Sequence, residues 1–257
     1  MLRSNLTIIV LIMAGLCLVI GSATLLISFE VYKQAAVVDV PKVEKPKPTG
    51  PAVYIEAGHG RGDDGVWDPG CSYTSGGKKY TEAELMVPIC QSMAKYLRKS
   101  GVTVYTDADD DNDLNLEDTL DFLDEHREIK AFVNVHCDWE GADSGTMPLY
   151  KTEEQRQLAE ALNDGVHEYV NIPDLGLTLR EDMKTLNNER VHCPAVLFET
   201  GGIRADLETL ALDYDNYGKG LAAGMCRFLD VPFLGKATPQ PGEEKDGDNK
   251  EENKEQD

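Results

Sequence analysis

Ala52–Gly60 reads AVYIEAGHG, Ala131–Cys137 reads AFVNVHC, and Ala195–Gly202 reads AVLFETGG. Each is a short, unbroken apolar run that ends on a chemically competent residue: His59, His136 and Glu199. Runs that are continuously apolar rather than alternating fit strands covered on both faces, as in a parallel sheet. Val102–Tyr105 (VTVY) is a fourth run of the same kind. Between the runs lie amphipathic stretches. Thr81–Lys99 places Leu85, Ile89, Met93 and Leu97 at four-residue steps before Gly101, and Asn115–His126 places Leu116, Leu120 and Leu123 on one face. Glu153–Tyr169 and Asp206–Leu229 read as further helices. This alternation predicts a single α/β domain, a twisted and mostly parallel sheet with helices on both faces. Ligands bind such sheets beyond the carboxyl ends of the strands, which is where the three residues fall.

The domain spans 52–235, and the remaining segments differ in composition. After a short flank (1–5), residues 6–29 hold no charged side chain, long enough to cross a bilayer. They read as a transmembrane signal anchor, with cleavage near Ala23 as the alternative. Residues 30–51 are rich in proline and lysine and read as an extended tether. Residues 236–257 carry eight acids against four lysines and no large apolar side chain, the composition of a disordered acidic tail.

The whole chain has a formal net charge of −21. That excludes nucleic-acid binding by phosphate neutralisation, which needs lysine and arginine. Much of the charge is local: residues 107–128 hold eleven acids and one arginine. Within them, 107–118 has oxygen-bearing residues at calcium-loop spacing, but Asn112 stands where the turn wants glycine. A solvated acidic face is the competing reading. Cys71, Cys90, Cys137, Cys193 and Cys226 lie in the domain. Five cannot all pair internally; an exported domain has room for two disulfides, whose connectivity the spacing does not reveal. Trp67 and Trp139 flank the two histidine motifs, either lining a glycan or peptide cleft or packing in the core or in loops.

Two imidazoles and a carboxylate, with one position left open, make a catalytic zinc site, and a further carboxylate beside it serves as general base. His59 and His136 supply the imidazoles. Glu82, at the start of the first long helix, is the candidate third ligand, with Glu84 as fallback, and Glu199 is the candidate base. His126, His167 and His192 are assigned to structure.

In these segments the chain resembles the zinc-dependent N-acetylmuramoyl-L-alanine amidases of the amidase-3 type. EAGHG (56–60) is similar to that family's opening strand and turn. TEAELMVPICQSMAKYLRKSGVTVYTD (81–107) resembles its metal-binding glutamate, helix and second strand. FVNVHCD (132–138), GTMPLYK (145–151) and PAVLFETGGI (194–203) resemble its later strands, in the family's order. The resemblance implies the family's phosphorylase/hydrolase-like fold and one zinc ion per domain on His59, Glu82 and His136. It also implies a catalytic role for Glu199 in hydrolysis of the bond between N-acetylmuramic acid and L-alanine in peptidoglycan. Departures from the family pattern are Glu56, Ala57, Asp107, Asp138 and Gly202. They motivate one rival, a catalytically silent domain that binds muropeptides or a partner; a second rival is a related zinc peptidase. The second lacks its usual H-x-x-E pair, because Gly62 stands three residues after His59. Peptidoglycan lies outside the cytoplasmic membrane, so the domain is expected there, although Lys33, Lys42, Lys45 and Lys47 after the span outnumber Arg3 before it.

Overall fold

The structure is a computed structural model that describes residues 50–62, 64–110 and 115–235. The expected anchor (6–29), nearly all of the tether and the tail (236–257) lie outside the described residues. Among those described, no helix is long and apolar enough to cross a membrane.

Strand β1 (Ala52–Ala57) opens the domain. Two small antiparallel pairs follow, β2 (Gly60–Arg61) with β3 (Trp67–Asp68), and β4 (Ser72–Ser75) with β5 (Lys78–Thr81). Helix α1 (Glu82–Lys99) begins where the Thr81 side chain accepts from the Glu84 N–H, an N-cap. β6 (Thr103–Thr106) and helix α2 (Leu116–Glu125) come next, the latter capped by Asn115. β7 (Ile129–Asp138) and β8 (Met147–Tyr150) lead to α3 (Glu153–His167), whose capping box pairs Thr152 with Gln155. After β9 (Thr178–Leu179) and β10 (Ala195–Gly202), two helices close the domain, α4 (Leu207–Leu212) and α5 (Tyr214–Phe228). The expected helix over Asp206–Leu229 is thus broken at Asp213, where ψ of 20° interrupts the helical path.

The main sheet has six strands in the order β6-β1-β7-β10-β8-β9. β6, β1, β7 and β10 run parallel; β8 pairs antiparallel with β10, and β9 follows β8 in parallel. The two faces alternate residue by residue, as the pleat requires. Val53, Ile55 and Ala57 join a core built with α1, α3 and α5, while Ala52 and Tyr54 pack with Leu123, Phe132 and Leu186 on the other face, against α2 and the 183–193 loop. Both faces are therefore covered, as continuous apolar strands demand. The buried Asp206 carboxylate accepts from Ser144 Oγ (2.6 Å) and from the Gly145 and Gly202 N–H groups (3.1 and 2.9 Å). It ties the end of β10 to the β7–β8 loop beside the carboxyl ends of the strands.

Candidate metal centre

β1 runs out through Gly58 into His59, β7 carries His136, and β10 carries Glu199, all near the carboxyl ends of parallel strands. His59 holds φ of 64°, a left-handed turn that few side chains adopt. A Cβ on Gly58 would stand 2.6 Å from His136 Nδ1, so the backbone there must be bare. Glu82 is the first residue of α1, buried to 2% exposure.

The Glu82 carboxylate is held by both its oxygens. Oε1 lies 2.8 Å from His136 Nδ1 and accepts from the Cys137 N–H at 3.1 Å. Oε2 accepts from the Cys71 N–H at 3.0 Å and lies 3.1 Å from His59 Nε2. His59 Nδ1 sits 2.8 Å from Asp68 Oδ2, a carboxylate placed to accept the Nδ1 proton when Nε2 serves as a metal ligand. The imidazole rings meet edge to face, centroids 5.1 Å apart. One donor atom from each of His59, Glu82 and His136 lies within 4.8 Å of the others. Burial pushes the Glu82 carboxyl up, but the two imidazoles outweigh it and hold it well below the usual carboxylate range. For His59, burial disfavours the charged ring, yet Glu82 and Asp68 together raise its pKa to about 9.

Glu199 is the register partner of His136 on the neighbouring strand. Among the described residues its buried Oε2 has no hydrogen-bond partner. Burial, with the negative charges of Glu82 and Asp138, pushes its pKa up to about 8, against the smaller pull of His59 and Arg180. A carboxyl whose pKa is raised to about 8 beside a group of candidate metal ligands can take and return a proton.

A cavity of about 340 Å³ opens beside His59 and His136, its wall including Glu56, Asn134, Thr185, Lys184, Leu116 and Met183. Asn134 Oδ1 and Thr185 Oγ1 are buried there without protein partners among the described residues. Asn134 Nδ2 donates to Glu56 Oε2 across β7 and β1. Burial, then the nearby Asp107 charge, raises the Glu56 pKa to about 8. Trp67 and Trp139 are 53% and 62% exposed, so neither packs in the core.

The structure thus brings His59, Glu82, His136 and Glu199 into one cluster, and it separates Glu82 from the exposed Glu84. His167 bonds to Thr146, His126 stacks on Phe122, and His192 faces Arg190 O. Of the calcium-loop positions, Asp107 is turned inward to accept from the Ala57 N–H and Asp109 pairs with Arg98, while 111–114 lie outside the described residues. Asp68 was not singled out by the sequence: in a loop rich in Gly and Asp, nothing distinguishes it from Asp64.

Several solved structures share this fold. The amidase AmiC2 of Nostoc punctiforme is 24% identical, with a TM-score of 0.58 over 70% of this chain and 97% of its own. The catalytic domain of CwlV from Bacillus (Paenibacillus) polymyxa var. colistinus is 21% identical, with a TM-score of 0.59 over 70% and 99%. CwlD of Clostridioides difficile, solved in complex with the GerS lipoprotein, is 15% identical, with a TM-score of 0.56 over 70% and 99%. At these identities the likeness establishes the fold. No curated protein matches the sequence. Residues 53–230 match the family model of the N-acetylmuramoyl-L-alanine amidases, and the chain belongs to that family.

Proposed function

We propose that this amidase works with one zinc ion held by His59, Glu82 and His136, with Glu199 as the acid–base group. The carrying observation is the convergence of the three donor atoms beside Glu199, whose buried Oε2 has no hydrogen-bond partner among the described residues. The donor set suits zinc, since two imidazoles and one carboxylate leave a coordination position for substrate chemistry. The surroundings suit it too: Asp68 orients the His59 ring, and a Cβ on Gly70 would fall 2.5 Å from Glu82 Oε2.

Bound there, zinc supplies Lewis-acid polarisation of a carbonyl and acidification of water. The chain's own residues do the rest. Glu199 Oε2 takes a proton from the attacking water and returns it to the alanine nitrogen as the muramoyl–alanine amide breaks. The Cys71 and Cys137 N–H groups keep Glu82 in place, and Asp68 keeps His59 in the tautomer that presents Nε2. Residues 6–29 are read as a membrane anchor that holds the domain on the wall side of the cytoplasmic membrane, where peptidoglycan lies.

Purified chain loaded with zinc should solubilise peptidoglycan sacculi, chelation should abolish this, and Glu199→Ala should retain metal without turnover. Wild-type protein that binds no zinc and leaves sacculi intact would overturn the proposal.

A further inference from the structure

The two amides that grip Glu82 belong to two cysteines, and the side chains of those cysteines touch. Cys71 Sγ lies 3.9 Å from Cys137 Sγ, though the residues are 66 positions apart. Cys71 sits at the entrance to the β4–β5 pair, half-buried, and also points its thiol at the carbonyls of Cys137 and Asp138. Cys137 is buried, next to His136 on β7. The other thiols have different surroundings: Cys90 Sγ faces Glu56 O, and Cys193 packs on the second face of the sheet.

We propose that Cys71 and Cys137 form a disulfide that staples the Glu82 carboxylate in its metal-binding position. An S–S bond of ~2.05 Å asks each sulfur to move by about 1 Å from its present contact. The reaction is thiol–disulfide exchange with an external disulfide donor. The accessible Cys71 sulfur attacks the donor, whose S–S bond breaks and releases one thiol. Cys137 sulfur then displaces the second thiol from Cys71, the two protons leaving with the two released thiols. Two thiols are oxidised and one donor disulfide is reduced.

The consequence for the site follows from the backbone. Each cysteine donates its N–H to a different oxygen of Glu82. Linking the side chains fixes the spacing of these two donors, so the carboxylate loses the freedom to swing aside when the ion leaves. This consequence rests on the zinc reading; formation of the bond does not.

The test uses the full chain, equilibrated with oxidised or reduced glutathione, alkylated and digested with trypsin. Cys71 falls in peptide 62–78 and Cys137 in 131–151, each with a single cysteine. The expected result is a 62–78/131–151 cross-linked peptide in the oxidised sample alone. Zinc transfer to a colorimetric chelator should then slow about tenfold on oxidation, the scale of effect of groups that orient metal ligands. Cys71→Ser and Cys137→Ser keep both N–H donors and should release zinc at the reduced rate whatever the redox buffer. Absence of the cross-linked peptide in the oxidised sample would overturn the proposal, as would equal zinc release from oxidised and reduced wild type. Serine variants stripped of zinc under reducing conditions would also overturn it, since the thiols would then be ligands. A chain that carries no metal in any state would count against the zinc reading, and the cross-linked peptide would still decide the covalent bond.

Discussion

His136 and Glu199 stand side by side as register partners on adjacent parallel strands, one bonded to Glu82 and the other with its Oε2 unpaired among the described residues. A sheet fixes such a pair more rigidly than loops would. The distance between the proposed ligand and the proposed acid–base group is therefore set by the ladder between β7 and β10.

Glu199→Gln keeps the shape and removes the titrating oxygen. Turnover of sacculi should fall by roughly 100- to 10,000-fold, the range for loss of a general acid–base group, while zinc content stays at the wild-type level. Metal analysis and a turbidity assay on the same preparation check this. An active Glu199→Gln protein would show that the proton is moved elsewhere.

Glu82 and Glu84 lie two residues apart in the first turn of α1 but in opposite environments, buried and exposed. Glu82→Gln should lose zinc to a chelator that leaves wild type loaded, and Glu84→Gln should behave as wild type. Asp68→Asn should weaken zinc by about 10- to 100-fold, because the His59 ring loses the carboxylate that orients it. Competition titrations with a zinc indicator give all three.

Gly70 and Gly76 both have positive φ, but a Cβ meets Glu82 Oε2 and His59 Cδ2 at 2.5 Å in the first and open space in the second. Gly76→Ala should cost about 1–2 kcal/mol of stability, the left-handed penalty alone, and leave zinc binding unchanged. Gly70→Ala adds a collision inside the ligand cluster, so zinc affinity should fall as well. Thermal unfolding beside zinc titration separates the two costs.

Burial raises the pKa of Glu56 to about 8 and that of Asp107 to about 7. A carboxyl raised in the fold keeps its proton where the unfolded chain has released it. The native state therefore binds more protons than the unfolded state from about pH 4 to pH 8, and stability falls as pH rises through that window. Other groups add their own slopes, so the difference between wild type and Glu56→Gln isolates one carboxyl. The melting temperature of Glu56→Gln should fall less steeply between pH 5 and 8. Parallel profiles would mean that Glu56 is ionised in the folded protein.

Much of this site is legible in the sequence because the strands are apolar throughout and their ends are not. His59, His136 and Glu199 interrupt such runs at equivalent places, and Glu82 follows a capping threonine at a helix start. What stays hidden depends on partners distant in the chain. Asp68 is one acid among several in a polar loop until His59 folds against it. Asp107 looks like the first of a solvated acidic run, yet it turns inward because the Ala57 N–H lacks a strand neighbour there and needs an acceptor. The antiparallel direction of β8 and the two-residue β9 leave no periodic trace, and Asp213 breaks the last helix without glycine or proline to announce it. The contact of Cys71 with Cys137 joins a loop to a strand, which spacing alone does not encode.

Product analysis tests the central claim most directly. Purified sacculi digested by the zinc-loaded chain should yield, by mass spectrometry, stem peptides with a free L-alanine amino terminus and glycan whose muramic acid keeps its lactyl carboxyl. Products in which muramic acid and alanine remain joined would contradict the account.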